Sequence, residues 1–325
     1  MLILTKSDLE KMLSIKDVIE IVRMGFLELA KGTAILPSRT GITVGENTGW
    51  LGVMPAHLAL MGALSTKIVT VFAGNSEKGL PTTIATILLN SVETGAPLAI
   101  MDGTFVTALR TGAVSGLATK HLARHNSTTV GVFGAGIQAR TQLLAVCAVR
   151  RIKRGLVFDK VEEKARLFAN EMSRTLKMPI ERCDPEDIVK QSDIIVTATT
   201  SKAPIFDGNL VRPGTHLNLI GAFTPDTREV DDALIGRSKI VVDEKTSALK
   251  EAGDIIIPIR GGIITEDDIY AELGQLVAGI KAGRTSETEI TLFKSIGLGV
   301  QDCATAWLAY TKARQKGGFL DVDLS

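Results

Sequence analysis

A glycine-rich turn and three cations set among small apolar residues are where this sequence could do chemistry. The turn is Gly134-Ala135-Gly136-Ile137-Gln138-Ala139, a G-x-G-x-x-A pattern. It directly follows apolar Val130, Val132 and Phe133 and directly precedes a helical run. Gly134 allows a tight strand-to-helix turn, Gly136 lets a pyrophosphate approach the backbone, and Ala139 is small enough for the helix to lie on the strand. The helix start, with Ile137 and Gln138 in its first turn, offers free N–H groups and a partial positive charge to the phosphates. Glycine turns precede helices in many proteins, so a mere packing turn is the alternative. A downstream acid favours the dinucleotide. Asp159 ends the next apolar strand, in GLVFDK, near the roughly 20-residue offset of the carboxylate that binds adenosine ribose hydroxyls. An Asp there repels the 2′-phosphate of NADP(H) and favours NAD(H), while Lys160 beside it keeps NADP(H) open. Thr197, Ala198 and Thr199 close a further strand after SDIIV. Strand carboxyl ends line the ligand crevice of open α/β sheets, and small residues there let a flat ring pass close to the backbone. An ordinary polar strand end would look the same.

The cations are Arg39 in LPSRTGI, Lys67 in LSTKIVT and Arg110 in TALRTGAVSG. Lys67 sits within a strand-like stretch, beside Leu64, Ile68 and Val69. A lone cation there is costly to bury without a partner. Lys and Arg are mostly exposed, so the plain expectation for each is solvent or a nearby carboxylate. The sharper reading is that cations near a nicotinamide hold an anionic substrate, a carboxylate gripped bidentately by Arg.

Composition narrows the class. The chain has 325 residues, 45% hydrophobic and 22% charged, as in an ordinary globular protein of about two domains. Lys and Arg number 37 against 36 Asp and Glu, which gives no electrostatic case for nucleic acid or an anionic membrane. No apolar run reaches the ~18 residues of a membrane span. The amino end, MLILTKSDLEKML, lacks the pattern of a signal peptide. Cys147, Cys183 and Cys303 are far apart and odd in number, so free thiols in a reducing cytoplasm are expected. His57, His121, His125 and His216 show no metal pattern, and no metal site is expected.

The elements that must position these residues follow from periodicity. Ser7 and Ser14 read as helix starts, and Val18, Ile19, Val22 and Phe26 recur at helical spacing up to Lys31-Gly32. From Ile35 to about Ile100 the stretches GITV, WLGVM, LSTKIVTVF, TTIATILLN and PLAIMD read as strands. Gly103 to Ala123 reads as a long helix with Thr104 as its cap. Strands at 130–133, 155–158, 180, 194–198, 216–220 and 239–243 then alternate with helices, which argues a parallel, doubly wound sheet. Residues 264–283, starting Thr265-Glu266-Asp267-Asp268, are predicted to be helical, and a last helix spans about 299–315.

Taken together, these stretches resemble the ornithine cyclodeaminase/mu-crystallin family along nearly the whole chain. The resemblance rests on PSRT (37–40), STKIVT (65–70), GLPTTIATILLN (79–90), MDGTFVTALRTGAVS (101–115), GAGIQA (134–139), GTHLNLIGAFTPDTRE (214–229), ALKEAGD (248–254) and LFKSIGLGVQD (292–302). It implies an α/β fold with a doubly wound Rossmann sheet at 124–299. A mixed α/β substrate-binding and dimerisation domain at 1–123 and 300–325 would complete it, in a homodimer. It further implies that Arg39, Lys67 and Arg110 grip a substrate carboxylate, with Lys67 close to the reacting nitrogen. Arg110 and Thr111 would meet the cofactor phosphates, Glu251 would be an acid near the active site, and Leu298 to Val300 would lie near the nicotinamide.

One departure narrows the reaction. Ornithine cyclodeaminases and the family's archaeal alanine dehydrogenase resemble GGD or GAD followed by x-PGK, with the Asp holding the substrate amino group. Here the loop reads Gly221-Ala222-Phe223-Thr224-Pro225-Asp226. Phe223 replaces that Asp, and Asp226, three positions on, does not inherit its role. The form is similar to mu-crystallin and the cyclic ketimine reductases. It implies NAD(P)H-dependent reduction of Δ1-pyrroline-2-carboxylate or Δ1-piperideine-2-carboxylate to L-proline or L-pipecolate. Phe223 would pack on the ring, and Lys67 or Glu251 would supply the proton. An alanine dehydrogenase, an ornithine cyclodeaminase and a mu-crystallin-like binding protein remain alternatives. Two Trp and two Tyr give no separate support for an aromatic hormone site.

Overall fold

A computed structural model of the chain describes residues 1–45 and 49–323. They divide into two compact units, Met1–Arg110 with Leu298–Ser325, and Thr111–Gly297. The division falls inside the helix Gly103–Leu122.

The first unit is an eight-stranded, largely antiparallel sheet. Its order is Leu320–Asp321, Leu2–Leu4, Pro97–Asp102, Thr83–Asn90, Ala63–Val71, Gly49–Leu58 and Ala34–Ile35, with Thr40–Val44 also paired to Gly49–Leu58. Strand periodicity sends alternate side chains to opposite faces. Met54, Ala56, Leu58, Ala63, Val69, Ala85, Ile87, Leu89, Ala99 and Met101 share the buried face. Helices Ile15–Ala30 and Gly299–Lys316 pack together, and the latter lies on the strands Gly49–Leu58 and Ala63–Val71. The helix Ile15–Ala30 forms where the sequence predicts: Ser14 Oγ accepts from Asp17 N as its N-cap, and Val18, Ile19, Val22 and Phe26 make the buried stripe. The opposite sheet face leaves Ile68 47% and Ile84 39% exposed.

The second unit is an eight-stranded sheet with every pairing parallel, as predicted for a doubly wound fold. Its order is Ile180–Arg182, Arg154–Phe158, Thr129–Phe133, Ile194–Thr197, His216–Leu219, Ile290–Lys294, Ser238–Val242 and Ile269–Glu272. The first strand sits inside the sheet. The next two strands in sequence lie to one side of it and the following two to the other. Strand order therefore reverses between Thr129–Phe133 and Ile194–Thr197, where the loops after strand carboxyl ends bind ligands in such sheets.

Three local expectations are corrected. Thr5 rather than Ser7 caps the first helix, Lys6–Met12, because Thr5 and Asp8 form a reciprocal capping box. Asp102 rather than Thr104 caps Gly103–Leu122. Phe105 N donates to Asp102 Oδ1 at 2.8 Å, while Thr104 Oγ1 accepts from Ala85 N at 2.9 Å. Residues 264–283 are not one helix: Thr265 and Asp268 close a single turn, then Ile269–Glu272 joins the sheet edge and Leu273–Val277 makes a short helix. The capping signal was genuine but local. Ile269 and Ala271, two apart and both buried, fit a strand face. No helix among the described residues is long and apolar enough to cross a membrane.

Candidate functional site

Lys67 lies on the buried face of the first unit's sheet, opposite Met54 on one neighbouring strand and Ile87 on the other. It is 1% exposed and paired with a carboxylate, so of the two plain expectations the structure shows the second and not solvent. What makes this tolerable is Asp302, from the first turn of Gly299–Lys316, itself fully buried. Lys67 Nζ donates to Asp302 Oδ2 at 2.6 Å, and Arg110 Nε donates to Asp302 Oδ1 at 2.9 Å. Arg110 Nη1 donates to Gln301 Oε1 at 2.7 Å. One carboxylate thus holds two cations, leaving the cluster with one positive charge in excess. Arg39 is half-buried and adds its repulsion to that of Arg110 on Lys67. Burial, then Arg110, lowers Lys67 to about 7, against an upward pull from Asp302. A buried ammonium poised near neutrality, beside a guanidinium, can bind a carboxylate and exchange a proton with a nearby nitrogen.

In the second unit the glycine turn has the expected form. Gly134 has φ +94°, and a Cβ there would stand 2.5 Å from the Ala198 carbonyl oxygen. Gly136 caps the helix Ile137–Val149 with no side-chain hydrogen bond, and a Cβ on it would meet nothing within 4 Å. Ala139 is fully buried in the core with Val130 and Val132. Uncapped N–H groups and open space over Gly136 fit a dinucleotide pyrophosphate. Asp159 is tied to the turn itself, accepting from Ala135 N at 2.9 Å and from Val161 N at 2.9 Å. Lys160 and Ile137 are exposed and Gln138 is half-buried. Thr111 is buried, its carbonyl accepting from Gln142 Nε2 at 2.9 Å.

The loops after Ile194–Thr197 and His216–Leu219 are joined by a residue that local sequence patterns do not reveal. Glu229, fully buried, accepts from Thr197 Oγ1 (2.6 Å), Thr199 N (2.8 Å), Thr199 Oγ1 (2.7 Å) and Gly221 N (2.7 Å). The Thr197 and Thr199 hydroxyls thus both donate to this one carboxylate. Asp254 Oδ1 accepts from Glu229 N, and Asp254 Oδ2 pairs with Lys294 Nζ at 2.8 Å. Lys294 also donates to the Ala222 carbonyl. Burial, then Asp254, pushes Glu229 up, with Lys294 and the two threonine hydroxyls pulling it down. These buried groups grip the backbone on both sides of Phe223, whose own ring is 45% exposed. Glu251 ends the helix Lys245–Glu251 and is half-buried. Leu298 is buried at the start of Gly299–Lys316 and belongs to the first unit.

A match to the ornithine cyclodeaminase/mu-crystallin family extends over residues 1–317. The chain belongs to that family. Among its relatives, a Δ1-pyrroline-2-carboxylate reductase of Bacillus cereus is 37% identical over 319 residues, 98% of each chain. The structure of Thermococcus litoralis Δ1-pyrroline-2-carboxylate reductase in complex with NADH and L-proline is 49% identical. It superposes with a TM-score of 0.97, covering 99% of this chain and 100% of that one. An archaeal alanine dehydrogenase dimer with bound NAD is 38% identical, with a TM-score of 0.94 over 100% of this chain and 99% of that one.

The residues missed from sequence lie inside stretches that already carried the family resemblance. Gln301 and Asp302 end LFKSIGLGVQD, Glu229 ends GTHLNLIGAFTPDTRE, and Asp254 ends ALKEAGD. A charged residue among Gly, Ala and Cys, as in Gly299-Val300-Gln301-Asp302-Cys303-Ala304, was the available signal.

Proposed function

We propose that the protein is a reductase of cyclic imino acids, using NAD(H) to convert Δ1-pyrroline-2-carboxylate to L-proline. The observation that carries this reading is the buried Lys67–Asp302–Arg110 cluster with its excess positive charge. An anionic carboxylate neutralises that excess, and the likeness to reductases named for Δ1-pyrroline-2-carboxylate narrows the anion to a cyclic imino acid. The six-membered homologue, Δ1-piperideine-2-carboxylate, presents the same groups and belongs to the same substrate class.

Arg39 and Arg110 would hold the carboxylate, and Lys67 would sit at the ring nitrogen. A bound nicotinamide cofactor supplies the hydride for the imine carbon. Gly134, Gly136, Ile137 and Gln138 would hold its pyrophosphate, Asp159 its adenosine ribose, and Ala198 and Thr199 its ring end. An Asp at position 159 favours NAD(H) over NADP(H), with Lys160 as the residue that would admit the latter. Lys67 gives its proton to the ring nitrogen, making the adjacent carbon electrophilic; Glu251 is the second candidate for that proton. Phe223 would lie on the ring methylenes, where an Asp would favour an ammonium. The exposed Ile68 and Ile84 face of the first unit's sheet is proposed as the contact of a homodimer, in keeping with the dimeric archaeal relative.

The test is NADH absorbance with Δ1-pyrroline-2-carboxylate, and separately with pyruvate plus ammonia. NADH loss matched by L-proline is expected only with the first. Turnover confined to the second pair would make the protein an alanine dehydrogenase. Lys67→Ala should lower kcat/KM by about 100-fold or more, the scale of a lost general acid. Full activity in that variant would move the site elsewhere.

A further inference from the structure

We infer that Asp302 is a positioning residue: it aims Lys67 Nζ and keeps it protonated, so that Lys67 can act as the acid that protonates the substrate's ring nitrogen. This rests on the function proposed above and adds to it a residue that acts on the substrate only through Lys67.

Asp302 is fully buried on the helix Gly299–Lys316 and uses its two oxygens on two different cations. Oδ2 takes Lys67 Nζ at 2.6 Å and Oδ1 takes Arg110 Nε at 2.9 Å. An ammonium on a four-carbon stem has many rotamers, and a short charge-assisted bond selects one of them. The paired bond to Oδ1 fixes the guanidinium, whose Nη1 is held in turn by Gln301 Oε1 at 2.7 Å.

The same contacts set the charge. The charged groups facing Nζ are Asp302, Arg110 from the helix Gly103–Leu122, and Arg39 from the segment before Thr40–Val44. The strands on either side present Met54 and Ile87, which are apolar. Two cations and burial favour the neutral amine, and Asp302 alone of these groups favours the ammonium. Removing that negative charge takes away the pull that Asp302 exerts against deprotonation of Lys67.

In the proton transfer the Nζ–H bond breaks and an N–H bond forms on the ring nitrogen, giving an iminium. A bound nicotinamide would supply the hydride for the imine carbon, and with it the two electrons the substrate gains. Lys67, left neutral, regains its proton from water. Asp302 stays ionised throughout.

The experiment measures kcat/KM against pH for the holoenzyme and for Asp302→Asn. In parallel, the midpoint pH for trace acetylation of Lys67 is read by mass spectrometry without turnover. The wild-type rate should fall as pH rises through Lys67's titration, because the protonated form is the donor. In Asp302→Asn that limb and the acetylation midpoint should both move to lower pH by about one unit or more, the usual effect of an adjacent opposite charge. At pH 8 the variant should lose at least about tenfold relative to wild type, one unit being a factor of ten. A uniform loss at every pH, with limb and midpoint unmoved, would make Asp302 merely structural and overturn the inference. If Asp302→Asn does not fold, Asp302→Glu decides. With the charge kept, the limb must stay in place while kcat falls, and a limb shifted to lower pH overturns the inference. Acetylation separates the two readings: a wild type inactive on Δ1-pyrroline-2-carboxylate sinks the proposed reaction, whereas an unmoved Lys67 midpoint sinks the role of Asp302.

Discussion

At the residue scale, buried polar groups divide into those that have been given partners and those held neutral. Lys67, Arg110 and Asp302 are of the first kind, and their burial is intelligible only as a set. His216 is of the second. It is fully buried in the strand His216–Leu219, with Nδ1 3.0 Å from Thr291 Oγ1. Burial, then Arg284 and Arg150, lowers its pKa to about 3. The unfolded chain, with a His near 6.5, binds a proton over the interval where the folded chain does not. Stability is therefore unaffected above about pH 6.5 and falls as pH drops toward 3, by roughly 1.4 kcal/mol per pH unit from this group. His216→Gln should flatten the loss measured by urea unfolding at pH 7, 5 and 4; an unchanged slope would assign the acid sensitivity to other groups. In the sequence His216 was one of four histidines without a pattern, and nothing local marked it as buried between two strands. Its environment is supplied by Thr291, Arg284 and Arg150, each far away in the chain.

At the element scale, the glycine turn was the most legible feature, because the constraint it expresses is local. Positive φ, a tight turn and a helix start all lie within six consecutive residues. The two glycines nonetheless differ. Gly134→Ala puts a methyl 2.5 Å from a backbone oxygen at φ +94°, whereas Gly136→Ala adds one into open space. Gly134→Ala should therefore destabilise the protein by about 1–3 kcal/mol and also weaken NADH binding. Gly136→Ala should leave the melting temperature nearly unchanged and weaken only NADH binding. Thermal melts beside a fluorescence titration of NADH check this, and equal losses of stability would contradict the assignment. The elements that were misread failed for a complementary reason. Thr265 to Asp268 gives a proper helix start, but Ile269 and Ala271 join the strand Ser238–Val242, a partner no local window contains. Glu229 was invisible for the same cause, since Thr197, Thr199 and Gly221 reach it only after two strands have been laid side by side.

At the scale of the whole molecule, the chain builds one unit from two distant stretches, Met1–Arg110 and Leu298–Ser325. That unit's sheet keeps an apolar face, with Ile42 61%, Ile68 47% and Ile84 39% exposed. An apolar face of this kind usually marks an interface. The expected outcome is a dimer by sedimentation velocity, shifted to monomer by Ile84→Lys with Ile42→Lys, with each subunit's helical circular dichroism retained. A wild type that sediments as a monomer would refute the dimer. Residue order alone was enough for the fold class, most strand and helix positions, the dinucleotide turn and the family, because these rest on short-range periodicity and on motifs of contiguous residues. It also named Lys67 and Arg110, but as cations whose plain expectation was solvent or a nearby carboxylate. That both are buried is a tertiary outcome. Strand alternation puts a side chain on one of two faces, and which face is covered depends on where a helix more than two hundred residues away returns. That helix brings Asp302, and with it the counter-charge that lets Lys67 remain an ammonium inside the protein.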